Sequence, residues 1–231
     1  MPGRGAGLVL AMVLWVGAHQ APAQTATSST AGGYLLWSEK EARTTALAMR
    51  VSGRVGKRVD FRGLHTDRSI SYKLRATWMT PDVIRASSRL EQLARQLSPA
   101  ETSRLVQDAE SAGDTVVMVE LDPDEGSGII PSEWMAQLGP SPERAVRGEK
   151  RPNLDSVKAL AGASRRDYNY DVFWFVFPLQ QESGAPLFRA PLFRAEDNEA
   201  VLTIRVNGMQ GSVKWGIPES VRQLQALRSS R

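Results

Sequence analysis

Apolar side chains recur along this chain at two spacings, three to four residues in some stretches and two in others, and the spacing assigns most of the elements. After Thr80-Pro81, an N-cap followed by a first-turn proline, Val83, Ile84, Leu90, Leu93 and Leu97 fall on one broad face and predict a helix ending near Leu97. Ser98-Pro99 repeats that start signal with Glu101 at capping-box spacing, and Gly113 terminates a second helix that packs back on the first as a helical hairpin. Ser38 and Glu41 have the same spacing ahead of the helix-forming stretch 39–49, which Gly53 would close. The alternation of Leu47, Met49 and Val51 competes as a strand.

Elsewhere period two takes over. Ile70, Tyr72, Leu74 and Ala76 alternate with Ser71, Lys73 and Arg75, predicting a strand over 68–78 with one wet face, preceded by a strand at 57–61 and a turn at 63–67. The β-branched run 114–121 predicts another strand, and 129–138 a further one beyond the turn-rich residues 122–128. In 170–177, Val172, Trp174 and Val176 point one way while Phe173, Phe175 and Phe177 point the other. Both faces therefore need cover, which makes this a central strand, ended by Pro178, with a layer of structure on each side. Strands at 199–206 and 212–217 flank Asn207-Gly208 as a hairpin, after which Pro218 opens a short basic C-terminal helix. Asn153 caps a short helix over 154–160, and 139–152, with its prolines and glycines, reads as a mobile linker. The class is α+β: mainly antiparallel β-sheet, sandwich-like, with an inserted helical hairpin, in a single domain over 34–231.

The first residues have a different grammar. A positive segment at Arg4, an apolar run over 8–16 too short to span a bilayer, and Ala21-Pro22-Ala23 form a secretory signal peptide over 1–23, cleaved after Ala23 and before Gln24. The product is expected to be secreted or periplasmic, with 24–33 as a flexible leader rich in Ser, Thr and Gly. Cleavage takes 23 of the 231 residues, leaving 208, and with Arg4 gone the net charge falls from +4 to +3. That is ample chain for a packed core, and with no cysteine in the sequence, packing rather than disulfides must hold it. No later apolar run reaches transmembrane length.

Candidate chemistry is sparse. His65, in a turn with Asp67, is the only histidine left after cleavage, and Gly126-Ser127-Gly128 lacks the nucleophile-elbow spacing. Asp122, Asp124 and Glu133 suggest a calcium loop, but the sixth position is Ser127 rather than glycine and Pro123 stiffens the second. Arg50, Arg54, Lys57, Arg58 and Arg62 crowd five cations into thirteen residues, read as a solvated helix end and strand face rather than a polyanion site. Trp37, Trp78, Trp134, Trp174 and Trp215 are read as core residues rather than a sugar-stacking platform. The pentapeptide 185–189 is repeated unchanged as 190–194, and its closely spaced prolines predict an extended loop from which one copy can be deleted at little cost; Phe188 and Phe193 as twin partner anchors are the alternative.

These observations assign no catalytic, cofactor-binding or metal-binding residue. They favour a non-enzymatic exported module that binds an envelope or extracellular protein, or a glycan, through its sheet face, edges or loops, with no nucleic-acid partner. The rival is a hydrolase working with carboxylates such as Glu120, Asp122 and Glu133, which needs neither histidine nor cysteine.

Overall fold

The computed structural model describes residues 33–56, 71–123, 130, 133–151, 154, 171–182 and 189–229. The signal peptide and leader expected over 1–32, the strand expected at 57–61, His65, the first three residues of the strand expected at 68–78, and most of the helix expected at 154–160 lie outside them.

The chain is α+β with antiparallel sheets. Strands β1 (Arg50–Gly56), β2 (Ser71–Met79), β3 (Thr115–Pro123), β7 (Asp171–Phe177) and β6 (Glu149–Lys150) lie in that order in one five-stranded sheet. A second sheet has the order β11 (Met209–Gly216), β10 (Glu199–Val206), β4 (Trp134–Gly139) and β5 (Val146–Arg147). A small ribbon pairs β8 (Gln180–Glu182) with β9 (Arg189–Pro191). Alternation puts Tyr72, Leu74, Ala76 and Trp78 of β2, Val117, Val119 and Leu121 of β3, and Phe175 and Phe177 of β7 inside the sandwich. Ala200, Leu202, Ile204 and Val206 of β10 and Ala136 and Leu138 of β4 meet them from the second sheet.

The opposite face of the five-stranded sheet is covered by helices. Helix α1 (Glu39–Ala48), α2 (Pro81–Arg95) and α3 (Pro99–Glu110) start where the sequence places them. At Ser38 and Ser98 the hydroxyl accepts from the backbone N–H three residues on at 3.3 Å, and the Glu41 and Glu101 carboxylates accept the return bond at 2.8 Å. The same carboxylates also accept from the Ser38 and Ser98 hydroxyls at 2.7 Å, and those hydroxyl bonds first, with the backbone N–H bonds second, hold the Glu41 and Glu101 carboxyls below the ordinary carboxylate value. Val83, Ile84, Val106 and Ala109 pack on Met79, Val116, Met118 and Trp174, while Ala42 and Ala46 bring α1 close against Ala86 and Leu90 of α2. The C-terminal helix α4 (Glu219–Ser229) seats Val221 in the inter-sheet core.

Two expectations change in the neighbourhood of glycines. Gly53 does not close α1; it lies in β1, and the helix stops at Ala48 because the chain must reach Arg50 to begin pairing with Thr77. Residues 139–151 are not a linker. They make a short 3-10 turn at Pro142–Arg144 and then β5 and β6, one paired to each sheet, with the corner at Gly148. A Cβ at Gly148 would stand 2.6 Å from the Phe177 ring, so only glycine lets the chain turn that close to the core. Proline and charge made this stretch look like a loop, yet it closes one side of the sandwich. On the other side β1 and β11 abut, and a Cβ at Gly211 would fall on the Arg54 carbonyl and 2.8 Å from the Val55 Cα. The β10–β11 hairpin is as expected, turning through Asn207 and Gly208 with φ of 50° and 75°, the signature of a type I′ turn.

The repeated pentapeptide is the largest departure. Its second copy is not a free loop: it enters β9 and then buries Leu192 and Phe193, at 1% and 2% exposure, in the inter-sheet core. Gln225 of α4 accepts from the Phe193 N–H at 3.0 Å and donates to its carbonyl at 2.6 Å. Downstream, Asp197 accepts from the Arg194 N–H at 2.7 Å and from both Arg144 guanidinium nitrogens. Burial alone would raise the Asp197 carboxyl, but Arg144 and the Arg194 N–H outweigh it and hold it below its ordinary value.

The abutting strands give a paired prediction. Gly211→Ala must push backbone against backbone and should cost about 1–3 kcal/mol. Gly216→Ala, on the same strand with nothing within 4 Å of its Cβ, should stay within about 0.5 kcal/mol of wild type in the same denaturant melts.

Candidate functional site

Of the carboxylates singled out in the sequence, Glu120 and Asp122 share the outer face of β3, two residues apart, whereas Glu133 is exposed just before β4 in the other sheet. The fold does not assemble these three. Glu120 is fully buried: the Arg50 guanidinium lies 3.5 Å and the Arg75 guanidinium 3.7 Å from its oxygens. Asp122 pairs with Lys73 at 2.9 Å. The register explains the grouping, because Arg75 lies opposite Glu120, Lys73 opposite Asp122, and Thr77 pairs with Arg50 one strand further out.

Arg50 and Arg54 therefore belong to a strand face with its own acidic partners. Arg50 and Arg75 are four-fifths buried over Glu120, more enclosed than a solvated strand face would be. Arg54 also donates to Ser71 at 3.4 Å. Lys57, Arg58, Arg62, His65, Asp67, Asp124, Gly126, Ser127 and Gly128 fall outside the described residues. Among the described residues no three His, Asp or Glu side chains converge as a metal site would require.

Three of the five tryptophans singled out in the sequence are core, and Trp37 and Trp134 are half-buried at its margin. Trp78, Trp174 and Trp215 are almost fully buried, and Trp78 lies 5.7 Å from the Trp215 ring and 5.8 Å from Phe193. Trp134 meets Phe173 edge-on at 4.9 Å, and the Lys150 ammonium stands 4.6 Å over the Phe173 ring. Trp37 packs beside α1 and α2.

A concave site that the sequence did not announce lies between α2, α3, the start of β3 and α4. It is a cleft of about 260 Å³ walled by Met79, Ile84, Ala109, Val116, Leu224 and Leu227. Two ion pairs stand in its lining, Arg85 with Glu110 at 3.2 Å and Arg228 with Asp114 at 3.7 Å, all four side chains partly exposed. Ser220 also lines it, and its buried hydroxyl oxygen has no hydrogen-bond partner among the described residues. Apolar walls beside paired, partly exposed charges suit an apolar body carrying a polar group. The residues come from three stretches far apart in the chain, so the only hint in the sequence is the spacing of Leu224 and Leu227 on one helix face.

No family model, curated protein or solved structure matches the chain. Among the described residues no helix is long and apolar enough to cross a membrane.

The two carboxylates of β3 should behave differently. Glu120→Ala strips two enclosed guanidinium groups of a shared counter-charge and should cost about 3–5 kcal/mol. Asp122→Ala breaks a pair whose lysine is half exposed and should cost about 0–1 kcal/mol, both read from denaturant midpoints.

Proposed function

We propose that this is an exported, non-enzymatic binding module that holds a small amphiphile, an apolar chain with a hydrogen-bonding head, in the cleft between α2–α3 and α4. The observation that carries this reading is the cleft lining, where Met79, Ile84, Val116, Leu224 and Leu227 stand beside the partly exposed Arg85–Glu110 and Arg228–Asp114 pairs. Its volume, just under the usual range for drug-sized ligands, favours a small guest. Export rests on the pattern of residues 1–23, and it would bring the module to envelope or extracellular amphiphiles such as lipids and glycolipids.

Two features weigh against the other binding modes. Strand addition needs an open sheet edge, and here β1 abuts β11 while β5 and β6 are consecutive pieces of one corner. The outer face of the second sheet is polar, with Thr203 bonded to Ser212, Arg205 to Gln210 and Lys214 to Glu199, so it offers little apolar area to a partner. The hydrolase alternative loses its most buried carboxylate, Glu120, to arginines.

The test uses chain beginning at Gln24, titrated below micelle formation with n-octyl glucoside and with octanoate by calorimetry. Saturable binding is expected for at least one of them, with a rise in melting temperature that follows the binding isotherm. Leu227→Trp, which fills the cleft from an exposed position, should abolish binding and leave the unliganded melt unchanged. Equal binding by Leu227→Trp would move the site elsewhere, and release of glucose would favour the hydrolase.

A further inference from the structure

The chain carries one core slot and two identical segments able to fill it. Residues 185–190 and 190–195 have the same six-residue sequence, sharing Ala190. The second copy occupies the slot: Leu192 and Phe193 are buried, the Leu192 N–H donates to the Leu179 carbonyl at 2.8 Å, and Gln225 holds both backbone groups of Phe193. Each of these contacts is made by backbone or by a Leu-Phe pair, so Leu187 and Phe188 would make them equally well. Residues 185–188 themselves lie outside the described residues.

A slip of an odd number of residues normally turns a strand's buried side chains outward. A slip of five does not do so here, because the repeat restores the same residue at every position. What changes lies at the two ends. Upstream, Gln180 and Gln181 pair with Pro191 and Ala190, and after the slip they would face Pro186 and Ala185. The tip pair Glu182 with Arg189 would become Glu182 with Gly184, leaving Ser183 alone to connect them, too short for a hairpin. Downstream, the turn in which Arg194 and Asp197 exchange bonds of 2.7 and 3.1 Å would open, since Arg189 in the Arg194 place is five residues further from Asp197.

We propose that β9 and the segment after it have two registers five residues apart, that the Asp197 turn and the hairpin tip select the second copy, and that the first copy is a spare that enters the core when the second is damaged. The five-residue excess moves from the β8–β9 connection to the stretch before Asp197, at an entropic cost that depends only weakly on where a loop of that length sits. Arg222 marks the selected register, since its guanidinium donates to the carbonyls of both Arg194 and Asp197 and so bridges the two ends of that turn.

The test is a cycle of truncations read as folding equilibrium constants from denaturant melts. Phe188→Ala should lie within about threefold of wild type. Phe193→Ala should fall well short of the roughly hundred- to several-thousand-fold loss of an unfilled buried phenylalanine. Leu192→Ala combined with Phe193→Ala should match Phe193→Ala within about threefold, because one slip repairs both sites together. Adding Phe188→Ala to that pair should lower the constant by a further hundredfold or so, or abolish folding. If the Leu192→Ala/Phe193→Ala protein does not fold, or if adding Phe188→Ala changes nothing, the second register does not exist.

Discussion

Strands β3 and β7 must be kept from water on both faces at once, and the architecture follows from that requirement. Val117, Val119, Phe175 and Phe177 look into the sandwich, while Val116, Met118 and Trp174 look outward from the same strands. Burying a large apolar side chain stabilises the fold by about 1.5–3 kcal/mol, so leaving either face wet would forfeit several such contributions. The second sheet covers one face, while α2, α3 and the short turn at Gly33–Leu36 cover the other, with α1 packed on α2. The outer face also has a polar end, beyond the helices, where Glu120 is enclosed by Arg50 and Arg75 rather than by hydrocarbon.

Much of this was legible in the sequence because local signals agreed with the global need. Thr80-Pro81 and Ser98-Pro99 are strong starts, and the hydroxyls cap where expected. The doubly apolar run 171–177 demanded two layers, and two layers are present. Legibility failed where tertiary contact overrode local chemistry. Gly53 looked like a helix stop but is a strand residue. Residues 146–150 are too short and charged to show alternation, and they become strands because each sheet lends them an edge. Pro186 and Pro191 argued for a loop, but β9 is a three-residue edge ribbon where proline is tolerated, and Leu192 and Phe193 then dive into the core.

The site was less legible than the fold. Glu120 stood out as an acid inside a β-branched run, and its burial is a consequence of that placement, but the arginines that enclose it sit on two other strands. The cleft is assembled from the α2 and α3 helices, the start of β3 and the C-terminal helix, and no one of those segments has unusual chemistry. Helix α4 ties the two themes together. Its Leu224 and Leu227 wall the cleft, while Gln225 and Arg222 grip the second copy of the repeat. The wall of the proposed binding site is thus fixed by the same segment that completes the core.

The shared core makes one cooperative unit of both sheets and their helical cover. Native-state hydrogen exchange across increasing denaturant tests it most directly, because it separates local openings from global unfolding. The amides of Val117 and Val119 in β3 and of Leu202 and Ile204 in β10 should converge on one free energy equal to that of global unfolding. If β10 exchanged through an opening of markedly lower free energy while β3 stayed protected, the two sheets would not share a core and the central claim would be contradicted.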